Sequence, residues 1–218
     1  MNQKELAHNR RLIRQQLKGR TIVKGMGTKE AACTISHINL ALTGRLTDEI
    51  PECMSSVIGR WIIIVQDAMP DEMRNSKEWR QLIPYAAGTG RGHEQELSGI
   101  ILEWMWTVVL PSLQSCADSQ EFGGEWRTMT TERTSHAATA AAYSAYSAAA
   151  VYAYSGAYYA ARAAAHAAAA TWAADAAAAA YSAAYAAYAA RGAAADDAAW
   201  ATFNPPQLLA RLITATNT

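Results

Sequence analysis

SHAATAAAYSAYSAAAVYAYSGAYYAARAAAHAAAATWAADAAAAAYSAAYAAYAARGAAADDAAWATF, residues 135–203, is the stretch on which the fold turns. Alanine fills 39 of its 69 positions. Alanine has the highest intrinsic helix propensity, so the whole segment reads as helix. Unbroken, it would be a rod of about 100 Å, too long for one chain to bury its tyrosines. Breaks are therefore expected near Gly156, near Thr171 and after Gly192, folding the segment back on itself. Small side chains let helix axes approach closer than the usual ~8–10 Å. Alanine offers little carbon to bury, and tyrosine restores apolar area while keeping a polar tip.

The spacing of the larger residues is regular. Tyr154, Tyr158, Arg162 and His166 follow one another at i, i+4, and Tyr181, Tyr185 and Tyr188 form a second stripe continued by Arg191. These rings read as the core seam of a helical hairpin or bundle, with a ligand-stacking wall as the functional alternative. Arg162 and His166 need a partner if buried, and Asp175 is the candidate for a structural polar network. Threonines at 139, 171 and 202 are too irregular for an ice-binding face.

Outward from this array the chain keeps a helical frame. A helix is expected over residues 3–18, with Leu6, Ile13 and Leu17 on one side and arginines on the other, followed by a glycine-punctuated loop at 24–27. Thr28 is a candidate cap for a helix through Leu42, closed by Gly44. Thr47 opens a third helix running to Ala68, with Pro51 in its first turn; the run Trp61–Val65 is read as buried helix, having no second strand to pair with. Ser76 caps a helix that Pro84 should kink or end. An apolar helix then spans His93 to Ala117, bent near Pro111, with a short element around Trp126 and a last amphipathic helix from Gln207 to Ile213. The expected fold is all-α: an N-terminal helical region, 1–134, and an Ala/Tyr-rich helical region, 135–218, packed as one unit.

Nineteen cations balance nineteen carboxylates. A net charge of zero argues against binding nucleic acid or anionic membranes through bulk electrostatics. The balance is uneven along the chain, because the N-terminus carries Arg10, Arg11, Arg14, Lys18 and Arg20. Cys33, Cys53 and Cys116 are odd in number and scattered, as in a reducing compartment. The first residues are too polar for a signal peptide and the apolar runs too short to span a bilayer, so a soluble cytoplasmic protein is expected.

No catalytic constellation, Walker loop or dinucleotide fingerprint is present. Cys33 and His37 have metal-compatible spacing but no further ligands nearby, and are read as core residues, so neither a metal site nor a cofactor is expected. Asp71-Glu72 and Asp196-Asp197 read as solvated faces. Gly88-Thr89-Gly90-Arg91-Gly92-His93, directly ahead of a helix, has the makings of an anion site: converging amides, a helix terminus and a cation. An ordinary interhelical loop accounts for the same glycines. Arg60-Trp61, Trp79-Arg80 and Trp126-Arg127 repeat a pairing suited to planar or phosphorylated ligands, or to helix edges with tryptophan inward and arginine outward.

The segments GRLTDEIPECMSSVIGRWIIIVQDAMP, EWRQLIPYAAGTGR and EWMWTVVLP, followed by the alanine array and LLARLI, resemble an uncharacterised family encoded by tailed phages and prophages. The array alone is similar to bacterial proteins described as immunity proteins. The resemblance implies no activity and no site residues. It implies a setting, an accessory protein in the cytoplasm of a bacterial host. In that setting the expected function is anti-defence: binding and sequestering a nucleotide-derived host immune signal without turnover. Arg60, Trp61, Gly88, Thr89, Gly90, Arg91, His93 and Arg127 are the candidate ligand-binding residues, with Arg162 and His166 in the array. The alternatives are an interaction module that inhibits a host defence protein or serves as an immunity-type partner, and a hydrolase of the same ligand class. A homo-oligomer is expected under each, because a tail this poor in charge leaves apolar patches.

Overall fold

Short-range chemistry sets where most helices start and stop. The computed structural model describes residues 2–151, 156–173, 175–194 and 198–216. Asn2 caps α1 (Gln3–Leu17), its side chain accepting from the Glu5 amide. Cys33 caps α2 (Thr34–Thr43), which ends at Gly44 in the left-handed conformation, φ 71°. Ser55 caps α3 (Ser56–Ala68), and Ser76 caps α5 (Lys77–Ala86), after the single turn α4 (Asp71–Arg74). Each cap supplies an acceptor to amides that the helix leaves unpaired.

Two expected helix starts move. Residues 28–33 form a turn and a strand instead of helix. Gly27 has a φ of 74°, the Thr28 amide donates to the Ala31 carbonyl at 2.7 Å, and the Thr28 hydroxyl accepts from the Glu30 and Ala31 amides. β1 (Thr21–Ile22) then pairs in parallel with β2 (Ala31–Ala32), Thr21 opposite Ala31. Thr47 does not open the third helix either. The Asn39 side-chain amide donates to the Thr47 and Glu49 carbonyls at 2.9 and 2.8 Å, holding 45–54 as irregular chain until Ser55. Pro84 lies inside α5, two residues before its end.

The chain divides into two compact units, residues 1–97 with 205–218, and residues 98–204. The change of composition at residue 135 therefore falls inside the second unit. In the first unit α1 packs on α2 and α5, and α13 (Pro205–Ala215) packs on α3 and α5. Ile13, Ile35, Ile58, Trp61, Val65, Trp79, Ile83 and Leu209 are fully buried there. Trp61 and Trp79 lie 6.1 Å apart, and the Trp79 indole donates to the Thr34 hydroxyl.

α6 (Glu94–Trp104) leads into a π-helical turn, Met105–Val109, a 3-10 turn, Pro111–Leu113, and α7 (Gln114–Ser119). The run Glu94–Ser119 is long and apolar enough to cross a membrane by length and composition. Its Leu97, Ile101, Met105, Val109, Leu110 and Leu113 are buried within the protein, as in a core helix. α8 (Gly123–Glu132) follows, tied by the Trp126 indole donating to the Leu110 carbonyl at 2.9 Å.

The array folds back on itself as α9 (Ser135–Val151), α10 (Gly156–Trp172), α11 (Ala176–Ala194) and α12 (Ala198–Phe203). α10 packs between α9 and α11, so it buries alanines on two sides: Ala157, Ala160, Ala161, Ala163, Ala164 and Ala167 are fully inaccessible. Contact is tight enough that a Cβ on Gly192 would lie 2.5 Å from the Tyr159 ring. At α12, Phe203 packs edge-on against Trp200 and Trp104, and its carbonyl accepts from the Trp104 indole at 2.8 Å.

Candidate functional site

In all three Trp/Arg pairs the tryptophan faces the core. Trp61, Trp79 and Trp126 are fully buried. Arg60 is exposed, and Arg127 pairs with Asp118 at 3.1 Å. Neither arginine meets its neighbouring indole across a cleft, so these pairs match the helix-edge reading.

The Gly88–His93 loop is a clasp. The Gly88 and Thr89 amides donate to the Tyr85 and Ala86 carbonyls, and the Gly90 amide donates to the Cys53 carbonyl at 2.9 Å. The buried Thr89 hydroxyl accepts from the Ser55 amide and donates to the Ala86 carbonyl. The Gly92 amide donates to the Glu94 carboxylate at 2.7 Å, and His93 lies 3.8 Å from Glu96. A carboxylate of the chain itself already takes the amide that an external anion would need. Arg91 is exposed.

In the second unit, His166 stacks on Tyr185 at 5.2 Å, and Tyr185 touches Tyr181 and Tyr188 at 4.7 and 6.1 Å. Burial, and then the Arg162 charge, lower the His166 pKa. A hydrogen bond with Tyr181, and then burial, raise that of Tyr185. Asp175 does not join them: it is exposed and caps α11, accepting from the Ala178 amide at 2.8 Å. The stripe and the Arg162/His166 pair thus meet across α10 and α11, but Tyr158, Tyr181 and Tyr188 are exposed, so alanines and not these rings fill the core of the array. Tyr154 and the Asp196-Asp197 pair lie outside the described residues.

The site that sequence reasoning missed is an open cleft of about 850 Å³ between α1 and α5. Four of its lining residues are cations, Arg14, Lys18, Lys77 and Arg80, and none is a carboxylate. Leu17, Leu82 and Tyr85 supply apolar surface, and Asn75 and Gln81 supply amides. Arg80 is held by donating to the Leu17 and Arg20 carbonyls, which close the C-terminal end of α1. Burial lowers its pKa from the ordinary arginine value. Arg14 donates to the Tyr85 hydroxyl at 3.0 Å, and the Arg10 guanidinium lies 4.5 Å from the centre of the same ring. Among the described residues, none of the ion pairs involves Arg14, Lys18, Lys77 or Arg80. Two sequence signals pointed here, the basic first helix and the Trp79-Arg80 pair, but only the fold sets one beside the other.

The remaining chemistry is quiet. Burial raises the thiol pKa of Cys53 and of Cys116, the reverse of nucleophile activation. The Cys33 thiol caps α2 and contacts Ser36, while His37 lies against the Thr21 carbonyl at 3.1 Å. Among the described residues no three His, Cys, Asp or Glu side chains gather in metal-binding proximity. Comparison with known proteins finds no matching family model, curated protein or solved structure.

Proposed function

We propose that this protein binds an anionic, phosphorylated small molecule in the α1/α5 cleft and sequesters it without turnover. The observation that carries this reading is the lining itself: four cations without a carboxylate, around a cavity of about 850 Å³. Like charges held together raise each other's energy, and a phosphate relieves that repulsion while taking charge-assisted hydrogen bonds. The cleft is preferred to Trp61, which is buried, and to the Gly88–His93 loop, in which the Gly88, Thr89, Gly90 and Gly92 amides are bonded within the chain. In the phage setting implied by the resemblance, the ligand is a nucleotide-derived host immune signal, and holding it silences the response.

Thermal shift of the full chain against cyclic nucleotides, ADP-ribose derivatives and pyrophosphate tests this, since a ligand that binds only the folded state raises its stability. The expected result is a concentration-dependent rise that Lys18→Glu/Lys77→Glu abolishes. No rise with any of these compounds at millimolar concentration removes the reading.

A second reading, a protein-interaction module, draws on Trp172 and Tyr143, which are 77 % and 74 % exposed. Large aromatics in solvent are the residues that interfaces recruit as anchors. Light scattering that gives a monomer mass at all concentrations, together with no stoichiometric protein captured from a bacterial lysate, rules this reading out.

A further inference from the structure

We infer that the α1/α5 cleft is two-ended, with a phosphate-binding end at Lys18 and Lys77 and a ring-binding end at Tyr85, and so selects a nucleotide in one orientation. This rests on the anion-binding reading above and adds what the anion must be attached to.

Two contacts fix the relative direction of the helices. Arg80 reaches the Leu17 and Arg20 carbonyls, placing the end of α1 beside the start of α5. Arg14, one turn earlier on α1, reaches Tyr85, near the end of α5. The helices therefore run antiparallel, and Lys18 and Lys77 share one end while Arg14 and Tyr85 share the other. From Lys77 to Tyr85 the rise is about 12 Å at 1.5 Å per residue, the span of a nucleoside diphosphate from terminal phosphate to base.

The ends differ in character. At the first, Lys18 and Lys77 are joined by the N-terminus of α5, whose dipole adds positive potential that Glu78 in its first turn partly offsets. The C-terminus of α1 would subtract from it, but Arg80 covers its carbonyls. At the second, Tyr85 is 37 % exposed, with the Arg10 and Arg14 guanidiniums over its ring at 4.5 and 5.4 Å and Leu82 beside it on the cleft wall. Arg14 holds the tyrosine hydroxyl, so the ring is ordered before any ligand arrives. An ordered aromatic next to aliphatic carbon and guanidinium planes is how proteins receive a base without reading its sequence-specific edge.

Isothermal titration of the full chain with ADP, pyrophosphate and adenosine separates the two ends. The expected result is that ADP binds at least about fivefold more tightly than pyrophosphate, the low end of what base stacking contributes. Adenosine is expected to bind far more weakly than either. Tyr85→Leu brings ADP down to the pyrophosphate affinity, Tyr85→Phe keeps the gap, and Lys18→Gln/Lys77→Gln weakens ADP and pyrophosphate alike. Circular dichroism confirms that each variant is folded. Equal affinity for ADP and pyrophosphate overturns the ring end and leaves anion binding standing. Adenosine binding as tightly as ADP overturns the phosphate end. Binding of none of the three overturns both this inference and the reading it rests on.

Discussion

Gly59 sits inside α3, where helix propensity says it should not be. Replacing an interior glycine by alanine ordinarily stabilises a helix by about 1 kcal/mol. Here a Cβ would lie 2.5, 2.8 and 2.9 Å from three carbons of the Ile50 side chain. Carbon pairs prefer about 3.5–4.0 Å, so Ile50 must move by roughly an ångström, and overpacking of this kind costs about 1–3 kcal/mol. Gly59→Ala is therefore expected to destabilise by about 1 kcal/mol net. Gly99 is the control: it is helical and exposed, with nothing within 4 Å of an added Cβ. Gly99→Ala is expected to stabilise by about 1 kcal/mol, so the same chemical change takes opposite signs at two sites. Urea unfolding followed by circular dichroism measures both. Repeating Gly59→Ala in an Ile50→Ala background should recover the gain, because the obstructing carbons are gone. A raised midpoint for Gly59→Ala in the native background would falsify the placement of residues 45–54 against α3.

Stability is expected to be level between about pH 7 and 8 and to fall below about pH 6.5, because burial lowers the folded-state pKa of both His37 and His166, so the unfolded chain takes up protons that the fold refuses. Melting curves at pH 7.5 and 5.0 measure the drop, and His166→Gln makes it shallower. Arg80→Met removes the guanidinium from the Leu17 and Arg20 carbonyls, of which Leu17 retains the Arg20 amide, and should cost about 1–3 kcal/mol, against less than about 0.5 for Lys77→Gln on the same helix. Trp126→Phe keeps a ring against Phe122 but removes the indole donor from the Leu110 carbonyl, which retains the Leu113 amide, and a loss of about 0.5–1.5 kcal/mol is expected in urea unfolding. Cys53 and Cys116 should react with iodoacetamide more slowly than a free cysteine at pH 7.5, because burial keeps both as thiols.

The helical class and the end of α10 near Thr171 were legible because they follow from local rules, while the breaks expected near Gly156 and after Gly192 fall against 152–155 and 195–197, outside the described residues. Alanine propensity, serine and asparagine caps and Gly44 each act within a turn. The misplaced starts at Thr28 and Thr47 came from competing hydrogen-bond partners, one within a turn and one farther along the chain. Thr28 was claimed by a turn closing on Ala31, and the Thr47 carbonyl by Asn39, eight residues away. The same distinction explains the site. Gly88–His93 had the composition of an anion loop, but its Gly88, Thr89, Gly90 and Gly92 amides found acceptors in Tyr85, Ala86, Cys53 and Glu94. Lys18 and Lys77 lie 59 residues apart and show no motif; only the antiparallel packing of α1 and α5 makes them neighbours. Trp61, Trp79 and Trp126 followed the plainer rule that large rings go inward.

The alanine seam of α9, α10 and α11 has a consequence for how the protein meets temperature. Each buried alanine withdraws a single methyl from water, so unfolding these helices hydrates little new apolar surface. The heat capacity of unfolding rises chiefly with that surface, and a typical domain shows about 12–15 cal/mol/K per residue. This array should fall below that range, which flattens its stability curve. Its fold then depends less on a driving force that fades on cooling, and keeps its margin in the cold where a leucine-filled bundle of the same length gives part of its own away.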